Sequence, residues 1–84
     1  MNSILELIGN TPLVKLNKVV EPDSADVHVK PEYLNPSGSL KDRIAVEMIR
    51  DAEEKDLLKP GYTIIEASTG NTGTALSFVG TQLG

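Results

Sequence analysis

The sequence contains no cysteine and only one histidine, His28, so it can form neither a disulfide nor a site built from thiolate and several imidazole ligands. Tryptophan is also missing, and only two tyrosines and one phenylalanine supply aromatic rings. Twelve acidic residues against eight basic ones give a net charge of -4, whereas nucleic-acid binding needs a basic face. These absences exclude zinc and redox roles and argue against a nucleic-acid partner; we expect no metal site.

Long apolar runs are missing as well, and no basic segment followed by an apolar stretch opens the chain. We therefore expect a cytoplasmic protein that does not associate with membranes. The 84 residues are 39% apolar and 24% charged, which is typical of a globular chain. Their number suits one small domain or a piece of a larger protein.

The first 36 residues predict a short helix followed by two paired strands. Ser3 and Glu6 fit a capping box at the helix start, and the Gly-Asn-Thr-Pro run that follows favours a turn. Because Pro31 cannot donate to a strand ladder, the second strand should end there or lie at an edge of the sheet. The predicted elements are a helix over residues 4–8, a strand within residues 12–20 and a half-buried strand from residue 26 to Pro31.

Residues 37–84 predict a helix, a strand and a second helix. Ser39 can cap the first helix, with Asp42 in its third position. Strand-loop-helix alternation predicts an α/β fold. The predicted elements are a helix from Ser39, a strand over residues 62–65 that is covered on both faces, a loop over residues 66–73 and a helix over residues 74–83 capped by Gly84. The residues of the first helix that should face the core are Ile44, Ala45, Met48, Ile49 and Ala52. Those of the second helix are Ala75, Leu76, Phe78, Val79 and Leu83.

Lys41 is the first candidate for chemistry, because it falls in the first turn of a predicted helix. The free backbone N–H groups and the helix dipole there disfavour a cation and favour a neutral, nucleophilic amine. Gly38 has no side chain, so a planar cofactor could approach the backbone closely. The alternative is a solvated surface lysine beside Asp42.

The second candidate is the run Ser-Thr-Gly-Asn-Thr-Gly at residues 68–73, between the predicted buried strand and the second helix. Backbone N–H groups at a helix start, together with hydroxyl and amide side chains, predict a cradle for a carboxylate or phosphate. The run matches neither the Walker loop nor the dinucleotide-binding pattern. The alternative is an ordinary strand-to-helix turn. Glu66, at the end of the predicted strand, is either a functional carboxylate or, as we expect, a partner for the loop's backbone amides.

Two segments together resemble the cysteine synthase and cystathionine β-synthase family of pyridoxal-phosphate enzymes of fold type II. They are residues 34–43, Leu-Asn-Pro-Ser-Gly-Ser-Leu-Lys-Asp-Arg, and residues 63–73, Thr-Ile-Ile-Glu-Ala-Ser-Thr-Gly-Asn-Thr-Gly. Residues 8–14 and 58–61 resemble the same family, so the resemblance covers nearly the whole chain. It implies the tryptophan synthase β-like fold, three-layered around a parallel sheet.

The resemblance also implies that residues 1–84 are the N-terminal segment of a larger two-domain enzyme. Within it, residues 1–36 would form the short helix and hairpin, and residues 37–84 would carry the lysine and asparagine loops. The family's glycine-rich phosphate cup and the serine that faces the pyridine nitrogen lie beyond residue 84. We therefore expect the isolated chain to be inactive. It should either associate with itself, as a homodimer, or with other chain segments, or fold weakly.

The roles of individual residues follow from the same resemblance. Lys41 would bind pyridoxal 5'-phosphate as a Schiff base and remove the substrate's α-proton, and Asn71 would hydrogen-bond the pyridine 3'-oxygen. Where this chain has Ala-Ser-Thr at residues 67–69, the family more often has Pro-Thr-Ser, an exchange that keeps two hydroxyls. The residues expected to bind the substrate are Ser68, Thr69, Gly70, Asn71 and Thr72.

The implied reaction is β-replacement on an activated serine, as in cysteine biosynthesis by an O-acetylserine sulfhydrylase. The substrates would be O-acetylserine or serine, with sulfide or a thiol. Threonine and serine dehydratases typically have Arg-Gly after the lysine and a histidine in the asparagine loop, whereas this chain has Arg43-Ile44 and Asn71-Thr72. The alternatives are a cystathionine β-synthase and a non-catalytic fragment that binds carboxylate or phosphate.

Overall fold

The computed structural model describes residues 3–84. Two α-helices pack against each other, and a small two-stranded sheet precedes them. The elements are a 3-10 helix at Ile4–Leu7, strand β1 at Val14–Lys15, strand β2 at His28–Val29, a 3-10 helix at Glu32–Leu34, helix α1 at Lys41–Glu54 and helix α2 at Asn71–Leu83.

The first predicted helix forms as a 3-10 turn, one residue shorter than expected. Ser3 Oγ accepts the N–H of Leu5 at 3.2 Å instead of the Glu6 N–H that a capping box would use. Gly9 follows with φ of 80°, a left-handed conformation that turns the chain away. Four residues are too few for a regular α-helix, so the tighter 3-10 hydrogen bonds take over.

The predicted hairpin is confirmed, although each strand is only two residues long. The strands are antiparallel, with Val14 opposite Val29 and Lys15 opposite His28. The expectation of a half-buried second strand is wrong for the described residues, because Val27 and Val29 are 40% and 38% exposed. Within residues 3–84, no other segment packs closely enough on the hairpin to bury these two valines.

β2 ends at Val29, two residues before the predicted end at Pro31, and Pro31 begins the next turn. Its carbonyl accepts the N–H of Leu34 at 3.1 Å, which closes the 3-10 helix at Glu32–Leu34. Because proline lacks a backbone donor, this position can leave the strand and open a turn without losing a hydrogen bond. The turn is important for the site because it carries Glu32.

Helix α1 begins at Lys41, after Leu40 has already taken a helical conformation (φ -66°, ψ -15°). The prediction that Ser39 is its N-cap is therefore wrong by one position, although Ser39 Oγ does accept the N–H of Lys41 at 3.2 Å. Near the other end, Lys55 forms an ion pair with Asp51 at 3.1 Å, one helical turn apart on the exposed side of the helix.

Helix α2 begins at Asn71, three residues earlier than predicted, and ends at Gly84, whose φ of 92° suits a glycine cap. The core lies between the helices and includes Leu5 of the first turn. Three predicted core positions are wrong, because Ile44, Met48 and Leu83 are exposed by 39%, 45% and 38%. The buried apolar residues are Leu5, Ala45, Val46, Ile49, Ala75, Leu76 and Val79, with Phe78 packed against them.

The predicted strand over residues 62–65 is not formed. These residues have no regular secondary structure, and Ile65 is 90% exposed. A strand is defined by hydrogen bonds to a neighbour, and residues 3–84 place no other strand beside this segment. The only sheet of the described chain is the antiparallel hairpin, so the expected parallel sheet and its three layers are not present there.

Candidate functional site

Lys41 is the first residue of α1 and is half-buried. Among the ion pairs formed within residues 3–84, none involves its ammonium group. Three residues earlier, Gly38 has φ of 95°, and a side chain built there would meet no atom within 4 Å. The backbone at Gly38 therefore faces open space, where a planar group could approach it.

Asp42, directly after the lysine, is fully buried. Its carboxylate accepts the backbone N–H of Ser37 at 2.8 Å and the Ser37 hydroxyl. It thus holds the loop that precedes α1 instead of pairing with Lys41. Within residues 3–84, Asp42 forms no ion pair with Lys41.

Arg43 connects the start of α1 to the N-terminal segment. Its Nε donates to Glu32 Oε1 at 2.5 Å and its Nη2 to Glu32 Oε2 at 3.1 Å, which makes a two-pronged ion pair. Nη2 also donates to the carbonyl of Gly9 at 3.0 Å and lies 3.3 Å from Thr11 Oγ1. One side chain therefore links three stretches that are far apart in the sequence.

Buried polar groups complete this network. Thr11 Oγ1 donates to Glu32 Oε2 at 2.5 Å, and Lys30 Nζ donates to the Thr11 carbonyl at 2.5 Å. Asn35, only 3% exposed, donates to Glu32 Oε1 at 3.1 Å and accepts the N–H of Gly9 at 2.9 Å. The hydrogen bonds from Arg43 and Thr11 lower the pKa of Glu32 from 4.5 to about 2.

The asparagine loop is organised by Ser68. Its Oγ accepts the backbone N–H groups of Gly70 at 3.2 Å and Gly73 at 3.0 Å, so the serine itself occupies two of the amides expected to cradle an anion. Asn71 and Thr72 lie in the first turn of α2 rather than in a loop, and their N–H groups have no acceptor within the helix. Those two N–H groups are the ones left to bind an anion.

Two cavities along α2 are lined by neither Lys41 nor residues 68–72. A groove of about 820 Å³ runs along α2 and is lined by Ile49, Tyr62, Glu66, Gly73 and Leu76, among others. Neither Lys41 nor residues 68–72 line it, and the same is true of a smaller cavity of about 270 Å³ nearby. Glu66 lines both cavities.

Sequence reasoning missed the polar residues that support Lys41. Glu32 and Asn35 are three residues apart, which places them on the same face of a 3-10 turn, but the turn itself was not predicted. In the sequence, Arg43 was considered only as part of a motif, and Asp42 only as a residue near the helix cap. The signal that could have found them is the run of buried polar types around a predicted helix start, because buried polar groups need partners.

No helix between residues 3 and 84 has the length and hydrophobicity to cross a membrane. In the same range, no group of three or more histidine, aspartate or glutamate side chains is arranged to hold a metal ion.

Comparison with known proteins identifies the family. The family described as "Pyridoxal-phosphate dependent enzyme" matches residues 4–84, almost the entire chain. The chain belongs to this family. A cysteine synthase of Staphylococcus aureus is 54% identical over 79 residues, which is 94% of this chain and 26% of that protein. The chain thus spans about a quarter of the length of the relatives that it matches.

Solved structures of the same family agree in fold. The crystal structure of an O-ureido-L-serine synthase matches 98% of this chain, which corresponds to 26% of the synthase chain, with 50% sequence identity and a TM-score of 0.89. The structure of an O-acetylserine dependent cystathionine β-synthase of Helicobacter pylori matches 96% of this chain and 27% of the synthase chain, with 34% sequence identity and a TM-score of 0.84. Members of the family depend on pyridoxal phosphate, and their fold in this region is the fold of the present chain.

Proposed function

We propose that these residues belong to a pyridoxal-phosphate-dependent enzyme that carries out β-replacement on an activated serine, of the cysteine synthase type. The observation that carries the proposal is Lys41, which opens α1 three residues after the open backbone position of Gly38, in a segment that is matched to cysteine synthases. In this proposal residues 1–84 supply the lysine and the carboxylate-binding loop, and the remaining three-quarters of such an enzyme supplies the phosphate site.

The residues present suit this cofactor. When bound, pyridoxal phosphate supplies an aldehyde for a lysine amine and a ring that takes up electron density from the substrate's α-carbon. The Lys41 amine is the group that binds it and then accepts the α-proton. The Asn71 side-chain amide, exposed at the start of α2, donates to the ring oxygen.

The substrate carboxylate is assigned to the start of α2. A hydroxyl oxygen has two lone pairs and one proton, and both lone pairs of Ser68 Oγ already accept backbone N–H groups. Its proton is then free to point outward and donate to a carboxylate. Thr69, Gly70 and Thr72 complete the loop, with the N–H groups of the first helical turn as further donors.

The test is an assay of the full-length protein with defined substrate pairs. We expect turnover of O-acetylserine with sulfide to give cysteine. Serine with homocysteine tests a cystathionine β-synthase, and O-acetylserine with homocysteine tests an activity like that of the Helicobacter pylori enzyme. Activity confined to either homocysteine pair would contradict the cysteine synthase assignment but leave the β-replacement chemistry in place.

Matched lysine variants test the assignment of Lys41. We expect Lys41→Ala to lose turnover by a factor of about 10² to 10⁴, the usual contribution of a proton-transfer group, or more because binding of the cofactor is also lost. Lys55→Ala removes a lysine at the other end of the same helix, where it pairs with Asp51 in solvent. Equal activity of the two variants would contradict the role of Lys41.

A further inference from the structure

The two residues that follow Lys41 are fastened to different parts of the chain. The buried carboxylate of Asp42 holds Ser37, in the loop immediately before the helix. Arg43 reaches instead to Glu32, in the turn that follows β2. The start of α1 is therefore held from two sides by contacts that do not involve the lysine side chain.

Glu32 is the group that holds Arg43 in place. Both of its carboxylate oxygens accept from the guanidinium group, and they also accept from Thr11 Oγ1 and Asn35 Nδ2. A two-pronged pair fixes the plane of the guanidinium group, which a single hydrogen bond cannot do. The fixed plane also sets the contact of Nη2 with the carbonyl of Gly9.

Arg43 approaches the backbone of Gly9 closely. A side chain at this position would bring its Cβ to 3.1 Å from Arg43 Nη1, and φ of 80° already disfavours other residues. Thr11, in the same segment, is only 7% exposed and bonded to Glu32. Residues 9–11 are thus built to receive the guanidinium group.

We propose that Glu32 is a positioning residue for Lys41: through Arg43 it ties residues 9–11 to the first turn of α1 and so fixes where the lysine amine stands. The inference rests on the proposed role of Lys41 and adds a residue outside the lysine and asparagine loops. Glu32 does not touch the cofactor or substrate in this proposal. Its effect reaches Lys41 only through the backbone of α1.

The size of the effect follows from the sensitivity of catalysis to geometry. A displacement of about 1 Å at a reacting group can cost about 10²-fold in rate. Glu32→Gln keeps the shape of the side chain but removes the charge, so the guanidinium group loses its ionic partner and is free to reorient. We expect a tenfold or larger loss of kcat, with KM changed by less than threefold because the substrate loop lies on α2.

The experiment uses the full-length protein and four forms: wild type, Glu32→Gln, Arg43→Lys and Asp51→Asn. Asp51→Asn is the matched control, since it removes one negative charge from an ion pair on the same helix, exposed and away from Lys41. The first readout is the rate at which the near-visible absorbance of the lysine-bound cofactor appears after the cofactor-free protein is mixed with pyridoxal phosphate. The second is the change in kcat and KM, and melting curves show that each form is folded.

The proposal predicts that Glu32→Gln takes up the cofactor at least fivefold more slowly than wild type and shows the loss of kcat, while Asp51→Asn matches wild type. Arg43→Lys keeps the charge but loses the two-pronged geometry, so its effect should lie in the same direction. If Glu32→Gln does not fold, Arg43→Lys is compared with wild type and Asp51→Asn in its place.

Borohydride reduction and peptide mapping distinguish a failure of the positioning role of Glu32 from a failure of the proposed function. If the label is on Lys41 but Glu32→Gln and Arg43→Lys load and turn over as the control does, the positioning role is wrong and the proposed function stands. If wild-type protein carries the label on another lysine, both proposals fall.

Discussion

The two halves of the chain that carry the candidate residues differ in how completely they are built. Around Lys41, polar side chains from residues 9–11, 30–35 and 37–43 bond to one another, and Asp42 and Asn35 are buried. Before the asparagine loop, by contrast, residues 61–70 are all exposed and have no regular structure. Only Ser68 organises that region, by capping α2.

The difference shows which part of the site the sequence can assemble locally. The lysine region is held by hydrogen bonds between residues at most 34 apart, all within the chain. The segment before α2 carries the apolar residues of a buried strand, but a strand needs neighbours that residues 3–84 do not provide. We infer that the first region is self-sufficient and that the second is completed by further parts of a longer protein.

The largest expected effect compares a core residue with an exposed one. Ile49 is 4% exposed between the helices, whereas Ile65 is 90% exposed. Ile49→Ala should lower the free energy of unfolding by about 2 to 5 kcal/mol wherever α1 and α2 pack. Ile65→Ala should change it by less than about 0.5 kcal/mol in the 84-residue chain but by a core-like amount in the full-length protein.

Urea titration of both lengths measures this contrast. A small effect of Ile65→Ala in the full-length protein would mean that residues 62–65 are not covered there, and the inferred incompleteness of this region would be wrong.

The next effect concerns the buried carboxylate beside the lysine. Asp42→Ala removes the acceptor for the N–H and hydroxyl of Ser37, and we expect a loss of about 1 to 3 kcal/mol, because these donors would lose their partner. Asp42→Asn keeps one acceptor oxygen and should lose less. Thermal unfolding monitored by circular dichroism ranks the variants; equal stability of Asp42→Ala and wild type would show that the loop is held by other contacts.

A smaller effect is expected at the corresponding position of the second region. Ser68→Ala removes the oxygen that accepts the N–H groups of Gly70 and Gly73, with a loss of about 1 kcal/mol, as for other helix caps. Ser68→Thr keeps the hydroxyl and serves as the control. In the full-length protein, Ser68→Ala should also raise KM for the amino-acid substrate, and an unchanged KM would argue against a carboxylate contact.

The smallest effect is a change in pH dependence at Glu32. Its pKa is lowered from 4.5 to about 2 by the hydrogen bonds from Arg43 and Thr11. The ionised carboxylate therefore stabilises the fold above about pH 4.5, and this contribution is lost as the pH falls from there toward 2. Wild type should lose stability in that window more steeply than Glu32→Gln, and parallel curves of melting temperature against pH would contradict the assignment.

The two regions also differ in how well their structure could be predicted from the sequence. The first turn, the hairpin and both helices were predicted because local patterns determine them. The strand over residues 62–65 was wrong because its formation depends on partners that are far away or outside these residues. Met48 was assigned to the core from helical spacing, yet the side of α1 that contacts α2 buries Val46 instead.

For the candidate site, the sequence singled out Lys41 and residues 68–72 but not the contacts that hold them. Glu32 and Arg43 are 11 residues apart, and Gly9 and Arg43 are 34 apart, so no local pattern announces their interaction. The early start of α2 was missed because Asn71 and Thr72 look like loop residues. Ser68 can cap the helix from outside it, and this places both residues in its first turn.

The most direct test of the account is to locate the cofactor on the full-length protein. The protein is loaded with pyridoxal phosphate, reduced with borohydride, digested and mapped by mass spectrometry. The chain offers six lysines, at positions 15, 18, 30, 41, 55 and 59, so the result discriminates among them. The account predicts the label on Lys41 and its loss in Lys41→Ala but not in Lys55→Ala; a label on any other lysine would contradict it.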